Sequence, residues 1–358
     1  MKPIYFLTLH RPDRSPSQRF RFEQYINYLA QNGFKPLHFF LLNQEDDKAF
    51  YGKSKFSKLL ILLKSVLRLF QLYFSIEKGS IVFVQRECFM LGTSFFERLF
   101  SRKGKLVFDF DDSIWLQNVS EANKNLAFLK NSAKTSEIIK LSRLVFAGNA
   151  YLKNYASQFN SNVVIVPTTI DTEEYKPVKQ QNDSVVIGWS GSVTTIQHFE
   201  FALPILDAIK EKYGDKVSFK VIGDGNYRNE KLSIVGLPWK KEDEVKEISS
   251  FDIGFMPLPN DEWASGKCGL KGLQYMALEV PTIMSPVGVN SEIIQQGENG
   301  YLAETQEEWV EKLSLLIEDE QLRLKLGKAG RTTVVDKFSV IAWQDKYVQL
   351  FNALSASN

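Results

Sequence analysis

Residues 251–290 read FDIGFMPLPNDEWASGKCGLKGLQYMALEVPTIMSPVGVN. The apolar run Ile253 to Met256 ends in a proline-rich loop, a glycine-bearing turn follows, a helical pattern covers Leu270 to Leu278, and a second apolar run begins near Pro281. Strand, loop, helix and strand in that order predict part of a parallel sheet with a crossover helix. A loop that enters a helix at the carboxyl end of a parallel strand leaves the first helical amides unpaired, at the positive end of the helix dipole. Lys267 and Lys271, four residues apart on this turn, add formal positive charge at the same place. The spot is suited to a diphosphate.

The same alternation runs outward in both directions. Strands are expected at Ile4 to Leu9, Pro36 to Leu42, Ser80 to Gln85, Lys105 to Phe110, Leu144 to Ala147 and Val163 to Val166. A second series is expected at Val185 to Trp189, Val217 to Ile222, Ile234 to Gly236, Ile253 to Met256, Thr282 to Ser285 and Gly300 to Leu302. Many are continuous apolar runs, as in strands buried on both faces, and the stretches between them are long enough for helices. The expected architecture is α/β with two doubly wound parallel sheets. With 358 residues the chain exceeds what one core usually serves. The polar stretch PTTIDTEEYKPVKQQND, 167–183, reads as the boundary, giving a first domain over 1–167 and a second over 183–335. Residues 336–358 read as a last helix with the apolar stripe Trp343, Tyr347, Leu350 and Phe351, placed to pack back on the first domain.

Charge divides the chain in the same way. Residues 1–165 hold 24 Lys and Arg against 13 Asp and Glu, whereas 166–358 hold 20 against 29. A basic half faces something anionic more readily than a neutral one, such as a headgroup, a lipid diphosphate or a nucleic acid; no recognisable nucleic-acid module organises its basic residues. Within it, 14 of the 21 residues of Phe56 to Ile76 are apolar, but Lys58, Lys64 and Arg68 argue against a membrane span. Ser57, Lys58, Lys64, Ser65, Arg68, Gln71 and Ser75 fall on one side of a helical wheel. Two readings stay open: a helix lying on a membrane surface, or one packed on the sheet with its basic edge in solvent. The two cysteines, Cys88 and Cys268, lie far apart without a histidine cluster, so neither a disulfide framework nor a zinc site is expected. With no export signal read at the start of the chain, the expectation is a cytoplasmic protein, peripheral on the inner membrane face if the surface-helix reading holds.

GKCGLKGLQYMALEVPTIMSPVGVNSEII (266–294) and GENGYLAETQEEW (297–309), with IGWSGS (187–192), VIGDG (221–225) and LRLKLGKAGRTTVVDKF (322–338), resemble the C-terminal domain of glycosyltransferase family 4, in particular its bacterial polysaccharide-assembly members. The resemblance covers about half the chain. It implies a GT-B fold, with two Rossmann-like domains facing across a cleft, and a retaining transfer of sugar from a nucleotide-diphosphate sugar. It places the donor against Gly188, Ser190, Gly191 and Ser192, against Gly223 and Gly225, and against Gly266, Gly269, Leu270 and Gln274, with Lys267 and Lys271 as the catalytic cations. Members of the family carry two glutamates with seven residues between them; here Gly266 and Gln274 stand there, and Gln274 retains an amide able to bond ribose hydroxyls. The family's glycine at the helix end is Glu279, which costs about 1 kcal/mol if the backbone there stays left-handed.

In the first domain the loop HRPDRSPSQRFRFEQY (10–25) brings Arg19 and Arg21 near the start of a helix, with the cleft within reach. Arg86 follows the strand run IVFVQ, and Asp109, Asp111 and Asp112 end the run KLVFDFDD, both at strand carboxyl ends where site residues collect. The acidic cluster reads as an acceptor-side feature and not as a metal site, because the donor diphosphate is already met by cations and amides. No cofactor and no metal are expected. His10 and His198 read as structural. The expected function is a glycosyltransferase acting on a carbohydrate or lipid-linked acceptor in cell-surface polysaccharide or glycolipid assembly. A non-catalytic sugar-nucleotide-binding subunit and a sugar-nucleotide epimerase of the same fold are the alternatives.

Overall fold

A computed structural model of the chain describes residues 1–52, 54–116, 131–178 and 180–356. The chain forms two compact units, Met1–Pro167 with Gln344–Asn358, and Thr168–Trp343.

The first unit is built on β1 (Lys2–His10), β2 (Phe34–Leu42), β3 (Ile81–Gln85), β4 (Lys105–Phe110), β5 (Leu144–Ala147) and β6 (Val163–Ile165). They form one parallel sheet in the order β2-β1-β3-β4-β5-β6. Every residue of β3 and β5 is buried, which explains why these segments are almost wholly Val, Ile, Leu, Phe and Ala, with Gln85 at the end of β3. The aromatic end of the last helix, Val340–Ala356, belongs to this unit. Tyr347 stacks on Tyr25 with ring centroids 4.3 Å apart, Phe351 packs near Phe6 and Phe83, and the Tyr347 hydroxyl donates to the Arg21 carbonyl at 3.1 Å.

The second unit carries β7 (Val185–Ser190), β8 (Val217–Gly223), β9 (Arg228–Asn229), β10 (Ile234–Val235), β11 (Leu237–Pro238), β12 (Ile253–Met256), β13 (Thr282–Met284) and β14 (Tyr301–Leu302). Its main sheet is parallel, in the order β11-β8-β7-β12-β13-β14. The expected strand at Ile234 to Gly236 is the exception. Ile234 and Val235 pair antiparallel with Arg228 and Asn229 in a separate two-stranded ribbon, and the sheet edge is taken by Leu237–Pro238. Gly236 makes the switch: its amide bonds the Tyr227 carbonyl at 2.9 Å, and a Cβ there would lie 2.2 Å from the Asp224 oxygen.

The stretch expected as a polar boundary is built into this unit. Thr168, Thr169, Ile170, Thr172 and Tyr175 are all buried. Ile170 exchanges backbone bonds with Phe338 and Val340.

Candidate nucleotide-diphosphate site

All main-sheet strands of the second unit run the same way, so the loops after β7, β8, β12 and β13 gather at one edge of its sheet. The loop after β7 turns at Gly191, whose amide bonds the Ile222 carbonyl at 2.8 Å, and Ser192 then caps the short helical turn Val193–Thr195. The loop after β8 begins at Gly223, which has φ 134. A Cβ there would lie 2.5 Å from the Gly191 carbonyl oxygen and 3.0 Å from the Ser192 nitrogen. These two turns therefore touch, and only a glycine at 223 allows it. The loop after β12 ends at Gly269, with φ 70, which starts the helix Leu270–Ala277.

Lys271 lies in the first turn of that helix. Its Nζ stands 4.3 Å from the centroid of the Trp189 ring and 3.5 Å from Thr195 Oγ1, joining the helix to the β7 loop. Among the described residues no carboxylate pairs with it. Burial, helped by the charge of Lys267, lowers its pKa to about 7. An ammonium held away from water without a counter-charge is costly, and a bound anion removes that cost. Lys267, on the preceding turn, lies 5.0 Å from the Trp263 ring centroid. His198, which read as merely structural, faces the same lysines: burial first, then the charges of Lys271 and Lys267, bring its pKa down to about 4, so its ring is neutral at pH 7.

The other expected donor residues divide. Ser190 and Ser192 flank the β7 turn, but Ser190 is buried and both its backbone amide (2.8 Å) and its hydroxyl (3.0 Å) meet the Tyr275 hydroxyl. Gly188 sits inside β7, where the Phe251 ring fills the space of a Cβ, so its size serves packing. At Gly225 a Cβ would lie 3.2 Å from the Pro238 ring, so its size serves packing there. Gly266 ends the short helix Glu262–Ser265 and is buried; Leu270 is half-buried at the start of the next helix.

Gln274 is engaged within the unit. Its amide nitrogen donates to the Tyr175 hydroxyl at 3.0 Å and to Glu244 Oε1 at 3.2 Å, so both N–H bonds are spent inside the protein. Glu244 also accepts from the Tyr175 hydroxyl at 2.6 Å and from the Trp239 ring at 2.8 Å. The amide cannot also donate to ribose; only its carbonyl oxygen is left for a ligand. Sequence reading missed this buried Tyr175–Glu244–Trp239 set because its members are separated along the chain and Glu244 is hidden in the acidic run KKEDEVKE. It also missed Asn290, which is fully buried beside Gly269 and whose side-chain oxygen has no hydrogen-bond partner among the described residues.

In the first unit the structure gives Arg21 and Asp109 a different role from the one expected. Both are buried, and the guanidinium grips the carboxylate through Nε at 3.3 Å and through its terminal nitrogen while also donating to the Val166 carbonyl. This pair joins the helical entry to the centre of the sheet. Arg19 is also buried, its guanidinium 4.9 Å from the Phe20 ring centroid. Arg86 has φ 63 and remains partly exposed; it bonds Asp111 at 2.9 Å and lies 3.6 Å from Asp112. Burial alone would raise the Asp111 pKa, but Arg86 and Arg21 overcome it and hold the carboxyl below its usual range.

The family described as Glycosyl transferases group 1 matches residues 184–319. The capsular polysaccharide biosynthesis glycosyltransferase CapM of Staphylococcus aureus is 25% identical over 241 residues, covering 63% of this chain and 58% of that protein. The chain spans less than two thirds of the length of the curated relatives it matches. Among solved structures, the sucrose-phosphate synthase of Thermosynechococcus elongatus superposes with a TM-score of 0.73 at 13% identity, over the whole of both chains. Anabaena HepE, solved with UDP-glucose, superposes with a TM-score of 0.68 at 12% identity over 99% of this chain and all of that one. Residues 184–319 of the second unit are thus similar to the glycosyl transferases group 1 family, and the chain has the GT-B fold, with two Rossmann-like α/β units.

Proposed function

We infer that the chain is a glycosyltransferase that takes a sugar from a nucleotide-diphosphate donor held by the second unit and passes it to an acceptor in polysaccharide or glycolipid assembly. The observation that carries this reading is Lys271, a half-buried lysine with no carboxylate partner among the described residues, at the edge where the β7, β8 and β12 loops gather. A diphosphate supplies the missing counter-charge. UDP-glucose bound to HepE and polysaccharide biosynthesis by CapM are the corresponding chemistry in relatives.

As the anomeric bond breaks, negative charge grows on the leaving nucleoside diphosphate. Lys271, Lys267 and the first amides of Leu270–Ala277 are fixed donors for those oxygens, each contributing on the order of 2–4 kcal/mol to the transition state. Retention of anomeric configuration follows the family resemblance, and the acceptor falls to the first unit. With Gly266 in place of a carboxylate, the sugar hydroxyls are held by backbone amides or a neighbouring polar group.

A thermal-shift panel of UDP, GDP, ADP, TDP and CMP tests the reading. The matching nucleotide at about 100 times its dissociation constant stabilises the protein by roughly 2.7 kcal/mol. No shift with any diphosphate overturns it. The tied-up Gln274 amide favours one rival, a sugar-nucleotide-binding subunit without turnover; release of nucleotide from labelled donor separates that from an enzyme.

A further inference from the structure

The helix Lys55–Ser75 packs on the first unit through one side of its surface. Ile61, Ser65, Leu69 and Leu72 face inward, and Arg68 reaches the Leu41 carbonyl and Asp46. Outward stand Phe56, Leu59, Leu60, Leu63, Leu67 and Phe74, each between 50% and 75% exposed. At 3.6 residues per turn these six side chains share an arc of about 100°. Large apolar residues share the solvent side with Lys55, Lys64, Gln71 and Ser75. Such a contiguous exposed stripe marks an interaction surface.

Charge indicates what it meets. The helix contains Lys55, Lys58, Lys64 and Arg68 and no acidic residue; Lys64 and Arg68 are paired with Asp46 at the helix flank. The neighbouring helix, Phe95–Lys103, continues the surface: Phe95 is exposed and its ring lies 6.4 Å from Phe70, while Lys103 bonds the Tyr73 and Phe74 carbonyls at the end of the first helix. Arg102 and Arg98, the latter 3.9 Å from Glu137, extend the basic flank. A second copy of the chain would set these cations against one another, which disfavours self-pairing. No helix among the described residues is long and apolar enough to cross a membrane. An apolar stripe with a basic border is the geometry of a helix lying in the headgroup layer, its apolar side chains among the acyl chains and its lysines at anionic phosphates.

We propose that the outer face of Lys55–Ser75, with Phe95 at its margin, docks the protein on the surface of an anionic phospholipid bilayer. Docking needs neither donor nor turnover, so its test stands apart from the transferase reading.

The full chain is sedimented with vesicles of phosphatidylglycerol and phosphatidylcholine, and with phosphatidylcholine alone. The expected result is pelleting with the anionic vesicles, weaker pelleting with the neutral ones, and loss as salt rises from about 0.1 M to about 1 M, where the screening length falls from about 10 Å to about 3 Å. Leu63→Glu/Leu67→Glu changes only exposed positions and is checked for folding by circular dichroism; its affinity for anionic vesicles falls about a hundredfold or more. Leu63→Ser/Leu67→Ser, which adds no charge, gives a smaller loss in the same direction. The proposal is overturned by absence of pelleting with either vesicle, by equal pelleting with both, or by undiminished binding of the two double variants. A lipid-independent dimer in ultracentrifugation that these variants disperse also overturns it, and assigns the stripe to a second copy.

Discussion

If Lys271 awaits a diphosphate, nucleotide binding must take up a proton. The lysine has an ordinary pKa of 10.5, lowered to about 7 by burial and by Lys267. At 1.36 kcal/mol for each tenfold change in proton affinity, charging it in the empty site costs at most about 5 kcal/mol relative to water. A dianionic diphosphate beside the ammonium offsets that cost and raises the pKa again. Above pH 7 the free protein holds a neutral lysine and the complex a charged one. Affinity therefore falls as pH rises from about 7 towards the pKa of the complex, by up to tenfold per unit. Titration calorimetry at pH 8.5 in two buffers of different ionisation enthalpy, with the nucleoside diphosphate chosen by thermal shift, counts the protons directly. Close to one proton is expected for the wild type. Lys271→Arg, whose guanidinium stays charged throughout, should take up none from this site and flatten the pH profile. Lys271→Ala should weaken binding and abolish turnover without unfolding the protein. Proton uptake near zero in the wild type, or the same uptake in Lys271→Arg, refutes the reasoning.

Three further outcomes follow from the geometry. Glu279 has φ 59 at the end of Leu270–Ala277, so Glu279→Gly should stabilise the second unit by about 1 kcal/mol in urea unfolding. Asp109→Ala removes the carboxylate bonded to Arg21 in the first unit's core, and should cost about 3–5 kcal/mol of stability by the same measurement, before any effect on an acceptor is reached. His38 and His198 both have pKa values lowered to about 4 by burial, with the nearby lysines adding to the effect at His198. Because the unfolded chain protonates them near 6.5 while the folded protein resists, stability is lost as pH falls from about 6.5 to about 4, and His198→Gln should reduce that slope.

The strands were legible because burial on both faces of a parallel sheet demands unbroken apolar runs. Lys105–Phe110, Leu144–Ala147 and Ile253–Met256 have the same ends in the structure as in the sequence reading. Glu279 was legible too, since a residue in a glycine position carries its backbone requirement with it. Arg21 and Asp109 were not, because their pairing joins residues 88 apart and no local pattern distinguishes a buried guanidinium from a solvated one. Gln274 likewise depends on Tyr175 and Glu244, brought together only by the fold. The face presented by Lys55–Ser75 could not be chosen from periodicity, since leucine occurs nearly all round it; the bonds of Arg68 to the Leu41 carbonyl and to Asp46 hold its polar side in.

The central claim is that the loops gathered in the second unit hold a nucleotide diphosphate, and a crystal structure of the chain with the nucleoside diphosphate selected by thermal shift tests it most directly. The account predicts phosphate oxygens within hydrogen-bond distance of Lys271 Nζ and of the first amides of Leu270–Ala277, with the Gly191 and Gly223 turns against the ligand. A nucleotide bound elsewhere, with Lys271 still over Trp189 and without an anionic partner, would contradict it.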